Sequence, residues 1–369
     1  MLLLSKPIKL FNIFGIPVRL DPSWFIVFIL LTITLGFGYY KYNYPNHNVL
    51  IYLFWGVVSS IFLFISVLLH ELAHSLVAIK FKIPVREIVL FIFGGVAMME
   101  DEAPSPKAEF AVAIAGPIMS FFLGIVFFFL ALFYPTDNLL NGFLNYLMFV
   151  NIMLGIFNLI PAFPLDGGRI LRAILWAKKD ILFATKVSSL TGKLFAGLLV
   201  LIGIVNLFKS NFVAFIWYVL LGTFLYQASR ESYETTKLNV ILSRYRVENV
   251  MEIVKPLLPE HTILDYMNEY YPIYKTSTYP LIGEDGRFYY IDIRDIRQIP
   301  FTEWEFIKVK DIAKPVEFYV EPFDRLTKAF RLMMKYNLDE LPVIYKQTLL
   351  GILRRSRIEN IIEREYRKL

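Results

Sequence analysis

The stretch VLIYLFWGVVSSIFLFISVLLHELAHSLVAI, residues 49–79, decides the fold. It exceeds the ~20 apolar residues that cross a bilayer, and its only ionised side chain is Glu71. Placing an acid in the middle of such a helix costs about 2.5–3.5 kcal/mol. The neighbouring residues show what could offset that cost. In His70-Glu71-Leu72-Ala73-His74, two of the chain's four histidines stand four positions apart. On a helix they share a face, where both imidazoles can hold one metal ion with Glu71 close enough to touch a water on it. The plainer alternative is two histidines hydrogen-bonded inside a bundle, and the otherwise uncharged span argues against it.

Working outward, further apolar stretches run over Pro22–Tyr40, Phe110–Tyr134, Gly142–Phe163 and Ala184–Gln227, the last broken at Lys209-Ser210-Asn211. That makes six spans. The 369 residues are 56% hydrophobic, and 45 of the 38 basic and 32 acidic residues fall in the last 141 positions. So sharp a change in charge density excludes both a single soluble globule and a disordered chain. It predicts a membrane domain over 1–228, a linker over 229–245 and a soluble domain over 246–369. With no cysteine, disulfides, thiolate metal sites and a cysteine nucleophile are excluded. The net charge of +6 is not gathered into a basic face, which argues against a nucleic-acid partner.

An even number of spans puts both termini on one side. Lys6, Lys9, Arg19, Lys80, Lys82, Arg86, Lys107, Arg169, Arg172, Lys178, Lys179, Lys186 and Lys193 then share that side, leaving Lys41 and Lys209 opposite. The positive-inside rule makes it the cytoplasmic side of a multi-pass protein of the cell membrane. Residues 1–20 have no long apolar core or cleavage-site pattern, so they do not read as a removed signal. Between the second and third spans, residues 85–99 are rich in β-branched and aromatic residues around Gly94-Gly95. They predict a strand or hairpin, either dipping toward the membrane against protein or a wet cavity, or lying at the surface.

Two imidazoles do not complete a catalytic zinc site, which takes three protein ligands and an open position. The fourth span ends in Asn158-Leu159-Ile160-Pro161-Ala162-Phe163-Pro164-Leu165-Asp166-Gly167-Gly168-Arg169. The prolines unwind the helix and the glycines permit close approach, so Asp166 is expected to project from an unwound segment. A simple helix-stop turn would use the same residue types. The second and fourth spans run in the same direction and carry their motifs near the same end, which favours a third ligand. Asn158 is then a candidate donor to a substrate carbonyl or developing oxyanion, or a packing amide.

These residues resemble the site-2 protease family of intramembrane zinc metalloproteases, in its bacterial and archaeal branch. The resemblance rests on the His70–His74 motif, Phe93-Gly94-Gly95, Ala115-Gly116-Pro117 and the Asn158–Gly168 stretch, in order and spacing. It implies that His70, His74 and Asp166 ligate one zinc, that Glu71 is general base and acid, and that Asn158 positions a transmembrane protein substrate. Gly94 and Gly95 would belong to a strand that holds the unwound substrate by edge pairing. Helices one, five and six would separate to admit it.

In the C-terminal part, residues 246–305 and 307–365 repeat weakly. Tyr279–Gly283 followed by Tyr290–Asp295 matches Leu341–Ile344 followed by Leu350–Arg357. This resembles a tandem pair of cystathionine-β-synthase (CBS) domains, which implies an adenine nucleotide such as ATP with an acid on its ribose. Asp295 keeps that acid, and Arg357 replaces it in the second repeat. Nucleotide sensing therefore stands beside a dimerisation or substrate-docking role, a homodimer through the CBS pair included. The expected fold is a polytopic α-helical membrane protein of about six transmembrane helices with a small membrane-associated β segment, followed by a soluble α/β tandem CBS domain. A CBS-gated transporter or channel, with the buried His, Glu and Asp side chains as an ion pathway, is the rival reading.

Overall fold

The computed structural model describes residues 7–99 and 102–367. Lys6, one of the basic residues used for orientation, lies outside them. The chain divides into two compact units, residues 1–234 and 235–369.

In the first unit, six helices are long and apolar enough to cross a membrane. They are α1 (Ser23–Ile33, carried on to Asn43 through a π-helical stretch at Thr34–Tyr40), α2 (Val49–Lys80) and α3 (Pro106–Ala131). After α4 (Leu139–Asn158) and the short α5 (Asp166–Trp176) come α6 (Ile181–Phe208) and α7 (Phe212–Ser243). Their starts follow the local chemistry of the sequence. Asn48 accepts from the Ile51 amide at 2.9 Å to open α2, and Asp180 accepts from Phe183 at 2.8 Å to open α6. Ser105 caps α3, with Pro106 in the first turn. Large apolar side chains such as Phe129, Leu194 and Leu201 stand exposed, as suits a hydrocarbon solvent.

Residues 85–99 form a hairpin, β3 (Val85–Phe91) and β4 (Gly94–Met99), with Gly95 opposite Leu90 and Ala97 opposite Ile88. The hairpin belongs to a larger sheet than the sequence suggested. Residues before the first span form β1 (Ile8–Ile13) and β2 (Ile16–Leu20), and β2 pairs parallel with β3 to give the order β1-β2-β3-β4. Val18, Ile88 and Val89 are fully buried, and Val18 and Ile88 pack on Leu68 and Leu72 of α2. The sheet thus lies against the helix that carries the histidines, and β4 is left at one edge.

Two further expectations need correction. The chain unwinds only over residues 159–165, and Asp166 is the first residue of a new helix rather than part of the unwound segment. Leu165 is extended, and an acid is favoured in a helix's first turn, where the backbone dipole is positive. Residues 229–243, expected within a linker, continue α7.

The second unit contains two similar halves. In each, a short segment makes a parallel bridge to a hairpin, Leu257 to Leu281 and Val320 to Val343. The hairpins are β5 (Thr278–Ile282) with β6 (Phe288–Asp292), and β8 (Glu340–Tyr345) with β9 (Thr348–Arg354). A helical segment precedes each, residues 263–274 in the first half and α8 (Leu326–Tyr336) in the second. The halves also exchange leads. The segment β7 (Lys314–Pro315) pairs with β6, and Glu252 bridges Ile352 of β9. Glu340 ties them further, accepting from the Ser277 and Thr278 amides at 2.9 and 2.6 Å.

Candidate metal centre

One helical turn of α2 sets His70 and His74 on the same face, both 3% exposed, with their Nε2 atoms 3.1 Å apart. Asp166 Oδ2 comes from the first turn of α5 to lie 3.1 Å from each Nε2. Three donor atoms thus form a near-equilateral triangle. Zinc bound tetrahedrally at about 2.0–2.2 Å requires ligand atoms about 3.3 Å apart. The triangle fits such an ion with a shift of a few tenths of an ångström, and the donor set, two imidazoles and a carboxylate, suits zinc.

The opposite ring nitrogens are fixed by α3. His74 Nδ1–H donates to the Val112 carbonyl at 2.7 Å, which leaves its Nε2 with a free lone pair. His70 Nδ1 lies 2.8 Å from the Ser120 hydroxyl. Val112, Gly116 and Ser120 are spaced by four and share one face of α3. At the middle of that face, a Cβ on Gly116 would fall 2.2 Å from His74 Nε2 and 2.4 Å from His70 Nε2. The sequence reading used Gly116 only as part of a motif, and it missed Ser120 and Val112. A hydroxyl and a glycine one turn apart in an apolar helix were the available signal.

Glu71 stands beside the triangle without joining it. Its Oε2 accepts from the Ala97 amide of β4 at 3.0 Å, a contact that spacing in sequence could not disclose. A cavity of about 280 Å³ opens in front of Glu71, His70, His74 and Asp166, with Asn158, Gly95 and Arg169 also on its wall. Gly94 is not on the wall. With φ at +131° it shapes the β3–β4 turn, a conformation that only glycine adopts without strain.

In the second unit, the Asp295 carboxylate pairs with Lys314 Nζ at 2.7 Å, and Arg357 reaches Glu252 at 3.5 Å. A cleft of about 360 Å³ between the two halves is lined by Tyr290, Asp292, Phe318, Tyr336 and Glu340, among others, but not by Asp295. Burial raises the Asp292 carboxyl, but the hydrogen bonds from Arg294 outweigh it and hold the group below its usual range. Burial pushes Glu340 up.

If the triangle is the metal site, Gly116→Ala should lower metal content at least tenfold in well-folded protein, as His74→Ala and Asp166→Ala should, by elemental analysis of purified protein. Retention of one metal ion in Gly116→Ala would place the ion elsewhere.

Comparison with known proteins places the chain in a family. Peptidase family M50 matches residues 58–142 and 136–204, and the CBS domain matches residues 309–364. The chain is 36% identical to zinc metalloprotease MJ0392 of Methanocaldococcus jannaschii over 290 residues, 77% of each chain. It is 31% identical over 369 residues to the Synechocystis protein sll0528, covering 96% of this chain and 95% of the relative. A solved structure, the site-2 protease from Methanocaldococcus jannaschii, aligns at 38% identity and a TM-score of 0.46, over 62% of this chain and 95% of that one. The chain belongs to peptidase family M50, the site-2 protease family of zinc metalloproteases, and carries a CBS domain in its C-terminal part.

Proposed function

We propose that the first unit hydrolyses a peptide bond of a transmembrane or membrane-proximal protein, in regulated intramembrane proteolysis, with its site near the cytoplasmic face and both chain termini in the cytoplasm. The observation that carries this reading is the triangle of His70, His74 and Asp166 with a free-standing carboxylate, Glu71, next to it inside an apolar helix. His70, His74 and Asp166 would hold the zinc. Bound there, zinc lowers the pKa of a water from about 15.7 toward 7 and polarises a carbonyl. Glu71 takes the water's proton as its oxygen adds to the carbonyl carbon, then passes a proton to the leaving nitrogen as the C–N bond breaks. The Ala97 amide fixes one Glu71 oxygen and leaves the other for that transfer. Asn158, at the end of α4 on the cavity wall, would donate to the substrate carbonyl.

A helical substrate hides its carbonyls in its own hydrogen bonds, so it must unwind before water can attack. The edge strand β4 supports a place for the unwound chain, because its Gly95, Val96 and Ala97 line the same cavity as Glu71. Gly95 belongs to this surface as well: a Cβ there would lie 2.7 Å from Glu71 Cγ.

Glu71→Gln should retain about one zinc per chain and lose hydrolysis by more than 10³-fold, measured with a transmembrane reporter in vesicles. Ion flux through the vesicles that survives this substitution, with no proteolysis by the wild type, would instead select the transporter reading. Gly95→Ala should also keep its zinc while cutting turnover at least tenfold through the displaced Glu71 side chain. Unchanged turnover would detach β4 from the chemistry.

For the second unit, the cleft lined by Tyr290, Phe318 and Tyr336 supports an adenine nucleotide as regulator; Asp295 lies off its wall, so a ribose contact requires that side chain to leave Lys314 and turn into the cleft. ATP or AMP at millimolar concentration should then slow hydrogen exchange in β5, β6 and β8 of the full chain, and Asp295→Ala should weaken that protection. Exchange unaffected by either nucleotide would leave the pair a docking or dimerisation module.

A further inference from the structure

Two arginines project from α5, and the structure treats them differently. Arg172 is committed: its Nε donates to Glu109 Oε1 at 2.6 Å, and its guanidinium lies 5.0 Å from the Phe163 ring centroid. Arg169 is not. Among the described residues its guanidinium has no ion pair, hydrogen bond or ring partner, although it lies on the wall of the cavity that holds Glu71 and Asp166. It stands three residues after Asp166, on the same face of α5, and it is the only lysine or arginine on that wall.

A guanidinium keeps its charge at any working pH and offers only donors. While water fills the cavity that charge is solvated. Once an extended peptide occupies the space, the water leaves and an unpaired cation there becomes costly. Neither acid of the cavity pairs with it: Glu71 has one oxygen on the Ala97 amide and keeps the other for proton transfer, and Asp166 Oδ2 lies against both imidazoles. Hydrolysis creates a further acceptor in the substrate itself. The neutral carbonyl gains negative charge as water oxygen adds to it, and cleavage of the C–N bond leaves a carboxylate on one product and an amine on the other.

We infer that Arg169 is a catalytic residue that binds this developing charge and then the new carboxylate, so that the cavity is matched to the reaction's anionic stages more than to the uncharged substrate. The inference rests on the hydrolase reading above. It sets Arg169 beside Asn158, the candidate donor to the substrate carbonyl or developing oxyanion, and adds to it a full positive charge and a hold on the product carboxylate.

The test compares binding with turnover. Zinc-loaded Glu71→Gln protein in detergent is titrated with N-acetyl-tetraleucine as the free acid and as the amide, by calorimetry, and the titration is repeated on Glu71→Gln/Arg169→Gln. Zinc attracts the acid in both proteins, so the contribution of Arg169 is the change in the acid-to-amide preference between them. A fall of about ten- to a hundredfold is expected, the scale of a charge-assisted hydrogen-bonded pair. In the Glu71 background, Arg169→Gln should lower kcat by a similar factor with KM changed less than threefold and zinc content unchanged, and Arg169→Lys should recover part of the loss. An unchanged acid preference, a loss confined to KM, or loss of zinc from Arg169→Gln would each overturn the assignment. If Glu71→Gln abolishes hydrolysis while any of these occurs, the hydrolase reading survives and the role of Arg169 alone fails.

Discussion

The first unit depends on keeping a carboxylate and two imidazoles in contact within an apolar bundle. Three donor atoms 3.1 Å apart are mutually unfavourable unless a proton or a cation lies among them. At 3–7% exposure, water cannot relieve that repulsion. The surroundings are built so that the three atoms cannot move apart. The Val112 carbonyl and Ser120 hydroxyl fix the far side of each ring, Gly116 supplies the missing volume, and the break at 159–165 lets α5 start beside α2. Binding a divalent cation among them would recover the energy lost by placing these groups out of water.

The sheet supplies what the helices cannot. A helix satisfies its amides internally and has none to offer a neighbouring carboxylate except at its ends. An edge strand has a row of them. The Ala97 amide holds Glu71 at a fixed height relative to the triangle, and β4 is kept in place through β3 by β2. Residues 8–20, which precede the first span, therefore belong to the architecture of the site although no side chain among them reaches it.

Much of this was legible in the sequence where the signal was local. Glu71 alone in a long apolar stretch marked both the span and the place of the candidate site, because a charge in hydrocarbon demands a reason. Asn48, Ser105, Pro106 and Asp180 are local signals for helix starts as well, though the apolar spans above were drawn without them. What stayed hidden was set by partners distant in sequence. Pairing of β2 with β3 joins residues about 70 positions apart, and nothing in Ile16–Leu20 advertises it. The start of α5 at Asp166 was obscured because Pro-Leu-Asp-Gly-Gly reads equally as a stop signal and as a helix start. Arg169 was counted only as a topological charge, since sequence cannot distinguish a paired arginine from an unpaired one. In the second unit, the repeat was visible, whereas the pairing of Asp295 with Lys314 arises from the exchange of leads between halves.

The position of β4 at the sheet's edge has one more consequence. A strand turns alternate residues to opposite faces, so a chain laid along it shows the same face to a fixed point only at every second residue. Slipping by one position would exchange the faces; slipping by two would restore them. For a peptide held against Gly95–Ala97, the bonds open to attack would fall into a reading frame of two residues, so that the permitted cuts in a uniform sequence would be spaced in pairs.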